Sequence, residues 1–595
     1  MCKMCGILFI LNGHTIDITE LQRLIHLIDC RGPDFKSDLI EYVTGCQLKL
    51  KLKSSVLHLR GDEMQAQPVI DSDGNILMFN GLVYKYANEF LNSTESDTRF
   101  LAERLRACTS AKQVACVFAN IEGPFAFVYW HDRLNSLLFG RDIFGRKSLC
   151  VLNRGEESIP VILSSVADEN LESNDLKWTE VDCRGIHCVD CSDNQNIKMN
   201  TFPWNLDEIY PKTSRCFPNL KQFQEDESIS TRYLSPLNDD FRPPNDFAGY
   251  IVDSALSSIE KKFLAAVHNR YRFNNKICLD CRRSPHAKVC PHSKVAVAFS
   301  GGIDSTLIAL ALDKIVDTKE TIDLITVAFK KESPDRSSVG SAYMELEKLC
   351  PNRNWRLVLC DIAIAELQQK REELIRNLIL PCDSVFDDGI GCACWFVGRA
   401  KGRAIDKSTC QDWLSSHFQT FLSYNPSAEL YDNVNVIYYT SPASMLYVGS
   451  SIDEQLGGYS SHRAAWAKFG YKGLHEEIAF LMRRLSSRNL GRDDRVYCHH
   501  GRDLKLPFLD FEFVSFLNQL PIGLKMDLSE PPETGPKKIL RQLALKWGLL
   551  ETGRRVKRAM QFGTRIANLE STKEKGNDVC TRLRTSEKSA HSTWT

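Results

Sequence analysis

The stretch Val295-Ala296-Val297-Ala298-Phe299-Ser300-Gly301-Gly302-Ile303-Asp304-Ser305-Thr306 constrains this chain more than any other. Five consecutive apolar residues read as a strand covered on both faces. Two glycines then turn the chain, and an apolar helix begins at once, running through Thr306 to Leu312. Strand, glycine turn and helix in that order predict a parallel sheet with crossover helices. The turn is also an anion cradle. Glycine lets the backbone approach a ligand closely, and a helix N-terminus offers unpaired N–H groups and a positive dipole end. Ser300 and Ser305 add hydroxyl donors. Asp304 would repel a bound anion unless a cation lay between them, which implies Mg²⁺ bridging Asp304 and a polyphosphate. A tight strand–helix turn accounts for Gly-Gly alone, but not for the full set of Ser300, Asp304 and Ser305.

The same pattern continues from about residue 246, with Leu324–Phe329 as the next buried strand. Ahead of it, residues 1–205 read as a β-rich domain. Asp17 caps a helix with Leu21, Leu24, Ile25 and Ile28 at helical spacing, stopped by Arg31-Gly32-Pro33-Asp34. Strands follow at Ile76–Phe79, before Asn80-Gly81, and at 125–130 and 136–140 around the turn 131–135. Residues 206–245, rich in Pro, Asp and Ser, read as a linker. Residues 571–595, rich in Ser, Thr and Lys, read as disordered. A chain of 595 residues predicts two to four domains. Lys+Arg and Asp+Glu both number 75, so nothing in the charge favours nucleic acid or an anionic membrane. No run approaches the ~18 apolar residues of a membrane span, and ILFI is too short for a signal peptide. The expectation is a cytoplasmic protein whose 22 cysteines are reduced.

The sequence Ser300–Ser305 resembles the pyrophosphate loop of ATP pyrophosphatases, which adenylate a substrate and release pyrophosphate. Three later stretches resemble asparagine synthetases of the glutamine-hydrolysing family. These are Val448–Tyr459 as a second acidic loop, Arg492-Asp493 with Leu506–Asp510, and Lys537-Lys538-Ile539-Leu540-Arg541 with Lys557–Gly563. The first half is similar, in order and spacing, to class II glutamine amidotransferases at Cys5-Gly6-Ile7, Arg31–Asp34, Gln67-Pro68, Asn80-Gly81, Ser96–Thr98 and Arg141–Gly145. The resemblance implies an Ntn-type αββα glutaminase domain over 1–205, a linker over 206–245, and an α/β ATP-pyrophosphatase domain over 246–570. That second domain carries inserts near 272–293 and 401–440.

The resemblance also implies roles. Cys5 would attack the glutamine side-chain amide, with Asn80 and Gly81 as oxyanion donors, Arg60 on the substrate α-carboxylate and Asp97 on its α-ammonium. ATP would activate the aspartate β-carboxylate as an acyl-adenylate, and ammonia would displace AMP. Ser300, Gly301, Gly302, Asp304, Ser305, Val327, Gly449, Asp453 and Lys537 would hold ATP and pyrophosphate. Asp304 and Asp453 would take Mg²⁺, and Lys537 would neutralise charge on the leaving group. Taken alone, Arg60 with Asp97 reads equally as an ion pair, and Lys537 as part of a solvated face.

Several positions depart from the pattern. Ser450 and Ser451 stand where the family carries Glu and Gly, at the ammonia step, and Leu82 replaces the Glu that follows Asn-Gly. The thiol of such glutaminases uses the enzyme's own α-amine as base, whereas Met4 precedes Cys5 here. An active glutaminase is therefore expected to begin at Cys5, by initiation at Met4 or by trimming. Cys2, about 10 Å away along an extended chain, is a poor substitute. Cys278, Cys281, His286, Cys290 and His292 offer zinc ligands, but the gap from Cys281 to Cys290 is shorter than in common zinc fingers. Reduced thiols in a loop are the expectation there, and Cys183, Cys188 and Cys191 are expected to pack between strands. The leading reading is ATP-dependent asparagine synthesis with glutamine or ammonia. The alternatives are a diverged nucleotide-binding interaction or regulatory protein, and an enzyme that adenylates another carboxylate. Its oligomeric state is left open.

Overall fold

The computed structural model describes all residues except 1–4, 12–15, 33, 93, 156–158, 194–196, 211–233, 274–276, 284–289, 406–417, 427–436, 568, 571–573 and 585–595. The first half is four layers deep. One antiparallel sheet runs from edge to edge through Lys177–Glu180, Cys150–Asn153, Ile162–Ser164, β1 (Gly6–Leu11), β2 (Lys49–Val56) and Phe35–Lys36. The facing antiparallel sheet runs through Lys198–Pro203, Gly185–Asp190, Ser136–Arg141, Phe125–His131, β3 (Ile76–Gly81) and Val69–Ile70. Alternation along the strands builds the layers. Ile7, Phe9 and Leu11 meet Ile76, Met78, Val128 and Trp130 between the sheets. Leu8 and Ile10 turn outward onto Leu21, Leu24 and Ile28 of α1 (Ile18–Asp29), whose N-cap Asp17 accepts the Thr19 N–H. On the opposite outer face, Leu77 and Phe79 share a core with α2 (Asp97–Arg106) and α3 (Ala111–Ala119). This is the expected αββα arrangement. Cys183, Cys188 and Cys191 are buried in it with free thiols.

The second half is a seven-stranded sheet in the order Ile437–Thr440, Lys401–Ile405, Trp355–Asp361, β5 (Ile322–Ala328), β4 (Val295–Ala298), β6 (Met445–Tyr447) and Asp503–Lys505. The five strands from Trp355–Asp361 to Asp503–Lys505 pair in parallel, and the two nearest the Ile437 edge pair antiparallel. Those last two strands fall within 401–440, the stretch expected to be an insert, and extend the sheet. Both faces are covered. Val295, Val297, Leu324, Leu357 and Leu359 belong to one core, while Ala296, Ile325, Val327, Val358 and Cys360 belong to the other. That second core also contains Leu8, Leu24 and Phe79, so one apolar mass spans both halves.

Two segments read from composition as a tail and a linker pack against the fold where they are described. The C-terminal stretch is ordered at 574–584, because a few anchors outweigh its polar composition. Val579 bridges Ser384, Cys580 and Leu583 are fully buried, and the Arg582 guanidinium donates to Glu574 at 2.7 and 2.8 Å and to Asp388 at 3.2 Å. The end of the 206–245 segment is likewise docked. Leu234 and Leu237 are buried, and Asn238 N–H donates to the Asn518 carbonyl at 2.7 Å.

The halves are also joined by buried charge. The Arg31 guanidinium donates to Asp494 Oδ2 at 2.6 Å, and the Ser148 N–H reaches the same oxygen at 3.1 Å. Lys147 Nζ lies 3.2 Å from Asp503 and 3.6 Å from Asp494, and Arg495 reaches Glu180 at 2.5 Å. Arg31, Lys147, Asp494 and Asp503 are at most 1% exposed. Burial would push both aspartates upward, but Arg31 and Lys147 at Asp494, and Lys505 and Lys147 at Asp503, hold them below the usual carboxylate range.

Candidate active sites

The synthetase half places its site at the carboxyl ends of β4, β5 and β6, where open parallel sheets bind ligands. The loop after β4 turns at Gly301, whose φ of +68° suits glycine. A Cβ there would run into the Ser338 carbonyl. The Arg555 guanidinium holds the turn by donating to the Gly301 and Ser338 carbonyls. Ser300 Oγ accepts the Gly302 N–H at 3.3 Å just ahead of α4 (Ile303–Asp313), and Ser305 in its first turn donates to the Gly302 carbonyl at 3.2 Å. Val327 lies one residue before the end of β5 and is 3% exposed.

Charge converges over this loop. The Lys537 ammonium, 1% exposed, lies 2.6 Å from Asp304 and 2.7 Å from Asp453, and Lys557 lies 2.5 Å from the other oxygen of Asp453. Two carboxylates and two ammoniums therefore face one another. Burial pushes Asp453 upward, but Lys537 and Lys557 outweigh it and hold the carboxyl well below its usual range. The acidic loop is packed tightly. A Cβ on Gly449 would approach the Asp304 Cβ to 2.9 Å, and one on Gly458 would run into the Asp453 carboxylate. Ser451, which caps the single helical turn Ile452–Gln455, takes φ +74° and buries its Oγ without a hydrogen-bond partner. Behind it, burial and Asp453 push Glu454 up to about 7, while Tyr459 donates to it at 2.9 Å. Asp304 and Asp453 touch the same ammonium, and both could offer hard oxygen donors to a divalent cation such as Mg²⁺.

Asp335 and Arg555 escape the sequence reading of this site, and Lys557 entered it only within the Lys557–Gly563 motif, without a role. Asp335 lies in the first turn of the helix Pro334–Leu349, and burial raises it to about 7 against the nearby Arg558 and Lys557. Gly563 leaves room for it, since a Cβ there would run into the Asp335 carboxylate. The available signals were Ser333-Pro334-Asp335 following a buried strand, and the basic cluster 554–558.

In the first half, Cys5 precedes β1 and its Sγ accepts the Leu57 N–H at 3.5 Å, just beyond β2. Burial pushes the thiol up to about 11. Arg31 donates to the Cys5 carbonyl at 3.4 Å. Asn80 and Gly81 end β3. The Asn80 Nδ2 is buried without a hydrogen-bond partner, and Asn80 shares the inward parity of Ile76 and Met78. Arg60 and Asp97 come together at 3.3 Å. Burial raises Asp97 to about 7 against the opposing pull of Arg60. The Arg60 guanidinium also donates to the carbonyls of Val83, Leu91 and Asn92, so the protein's own backbone occupies much of its fork. Residues 1–4, and with them Cys2, lie outside the described residues.

Comparison with known proteins agrees with both halves. The glutamine amidotransferase domain family matches residues 4–201, and the asparagine synthase family matches residues 426–590. The chain is 31% identical over 661 residues to asparagine synthetase domain-containing protein 1 of Mus musculus, covering 98% of this chain and 99% of that protein. The protein of the same name from Gallus gallus is 32% identical over 666 residues, covering 98% and 100%. A probable glutamine-hydrolysing asparagine synthetase of Acanthamoeba polyphaga mimivirus is 22% identical over 548 residues, covering 90% and 81%. With a glutamine amidotransferase domain followed by an asparagine synthase domain, the chain belongs to the asparagine synthetase domain-containing protein 1 family.

Proposed function

We propose that this chain synthesises asparagine from aspartate and ATP through a β-aspartyl-adenylate, with ammonia as the nitrogen that reaches the second site. The observation that carries the reading is the Lys537 ammonium between Asp304 and Asp453, above a glycine-turned loop at the carboxyl ends of parallel strands. The N–H groups after Gly302 and the Ser300 and Ser305 hydroxyls would bind the phosphates. Lys537 and Lys557 would stabilise charge as pyrophosphate leaves. Bound Mg²⁺, held by Asp304 and Asp453, would supply further charge neutralisation. Val327 would line the nucleotide side of the site.

In the glutaminase half, Asn80 Nδ2 and the Gly81 N–H would stabilise the oxyanion after Cys5 attacks glutamine. The Cys5 nitrogen in this sequence is an amide joined to Met4, so glutamine would serve only in a form that begins at Cys5. Two observations favour a second reading, a nucleotide-binding relative without amide synthesis. Ser450 and Ser451 replace the usual Glu and Gly, and Arg60 is engaged by backbone carbonyls.

The deciding assay follows AMP and asparagine from aspartate and ATP with either ammonia or glutamine. Asparagine formed with ammonia supports the proposal, whereas ATP binding with neither product supports the second reading. Pyrophosphate release dependent on a different carboxylate would replace aspartate as the acceptor.

A further inference from the structure

The segment between the helix Gly249–Arg272 and β4 brings four side chains to one point. The Sγ atoms of Cys278, Cys281 and Cys290 and a ring nitrogen of His292 lie within 4.8 Å of one another. Among the described residues this is the one group of three or more Cys, His, Asp or Glu side chains with metal-ligand spacing. His286, the fifth candidate, lies outside the described residues. We propose that Cys278, Cys281, Cys290 and His292 form a structural zinc site that fastens this segment to the sheet and to the glutaminase half.

The distances fit tetrahedral coordination. Bonds of about 2.3 Å to sulfur and 2.0 Å to nitrogen set S···N edges near ~3.5 Å and S···S edges near ~3.8 Å. His292 Nδ1 lies 3.5 Å from Cys278 Sγ and 3.2 Å from Cys281 Sγ. Backbone donors already point at the sulfurs. Cys281 N–H donates to Cys278 Sγ at 3.3 Å, and Cys278 N–H donates to Cys290 Sγ at 3.4 Å. Such bonds stabilise thiolates, the form that binds metal, and they fix the turn between Cys278 and Cys281. All three cysteines are free of disulfides. Three thiolates and one imidazole form a closed ligand set typical of structural rather than catalytic zinc. The short gap from Cys281 to Cys290, which argued against a zinc finger, does not prevent the ligands from meeting, because Cys290 Sγ reaches the Cys278 N–H.

The site sits at a junction. Leu279 N–H donates to the Pro442 carbonyl at 2.7 Å, and Ser444 Oγ donates to the Ile277 carbonyl at 2.9 Å, just before β6. On the other side, Arg282 donates to the His58 carbonyl at 3.0 Å, next to the Leu57 that contacts Cys5. The same guanidinium lies 3.5 Å from Asp34, which accepts the His58 N–H at 2.8 Å. Arg282 follows Cys281 directly, so a metal on Cys281 would make it a positioning residue for the loop beside Cys5.

The test is zinc content of the full-length protein, purified without chelator from zinc-supplemented cells. About one zinc per chain is expected. Cys278→Ser and Cys290→Ser should lower it roughly tenfold or more, whereas Cys183→Ser, buried elsewhere, should leave it unchanged. If the cluster variants aggregate, the unmodified protein still decides the matter. Cys278, Cys281 and Cys290 should resist alkylation until chelator is added, and Co²⁺ replacing zinc should give sulfur-to-metal charge-transfer absorption. Zinc-free protein that takes up no Co²⁺, zinc retained in the cluster variants, or alkylation indifferent to chelator would overturn the proposal.

Discussion

Replacing Lys537 by methionine tests whether the charge cluster over the loop is a built site. Lys537 is 1% exposed and touches Asp304 at 2.6 Å and Asp453 at 2.7 Å. The substitution keeps much of the side-chain volume and leaves two carboxylates facing Lys557 alone. Removing one partner of a buried ion pair costs about 3–5 kcal/mol. Lys557 still neutralises Asp453, so the lower end, about 3 kcal/mol, is expected. The cost should depend on pH with a definite sign. Asp453 is held below its usual range, so its contribution is complete above its unfolded pKa and is lost as pH falls through the folded value. In Lys537→Met the folded value rises toward normal. The gap between variant and wild type should therefore be full at pH 7 and narrow on acidification below about pH 5. Urea unfolding at several pH values measures this. Pyrophosphate release at saturating ATP measures the chemistry, where loss of one preorganised cationic donor predicts about a 10²–10³-fold drop. Adding Asp304→Asn should recover part of the stability and none of the activity. A variant within about 0.5 kcal/mol of wild type at pH 7, with pyrophosphate release within about twofold, would refute the reasoning.

Ser451→Gly removes the steric cost of φ +74° and a buried unpartnered hydroxyl. It should stabilise the chain by about 1 kcal/mol in urea unfolding, and a loss of stability would contradict this. Cys5, raised to about 11, should react with iodoacetamide at a rate that climbs about tenfold per pH unit from pH 7 to 10, followed by peptide mass. A plateau near pH 8 would show an ordinary thiol. Glutamine-dependent activity should be absent from the chain as written, and should appear in a form trimmed to begin at Cys5 only if Asn80 and Gly81 serve that thiol. Arg582→Ala loses its bonds to Glu574 and Asp388 and should speed protease cleavage within 574–584 several-fold, with global unfolding changed by less than about 1 kcal/mol. Unchanged cleavage would mean that Val579, Cys580 and Leu583 hold the segment without Arg582.

Local pattern carried the sheet elements well. The run Val295–Phe299 reads as a strand and is one over Val295–Ala298, and the apolar helix after Ser305 runs to Asp313. The glycine turn was legible because φ +68° at Gly301 is a property of one residue. What stayed hidden was non-local. Arg555 reaches Gly301 across more than 250 positions, and the Asp335 carboxyl fits only because Gly563 has no side chain. The order of 574–584 rests on four anchors in a polar stretch, Val579, Cys580, Arg582 and Leu583, and composition averages those away. The charges of Arg60 and Asp97 were visible, but not that Val83, Leu91 and Asn92 carbonyls fill the guanidinium fork.

The buried charges between the halves bear on what this chain can afford to lose. Deleting residues 1–205 would strip Arg31 and Lys147 from Asp494 and Asp503, leaving Asp494 without either cation and Asp503 with Lys505 alone. It would also open the core shared by Leu8, Phe79 and Val358. The synthetase half is thus no free-standing module. Its amino-terminal neighbour is a folding partner first, and it remains indispensable in that capacity whether or not its thiol ever turns over glutamine.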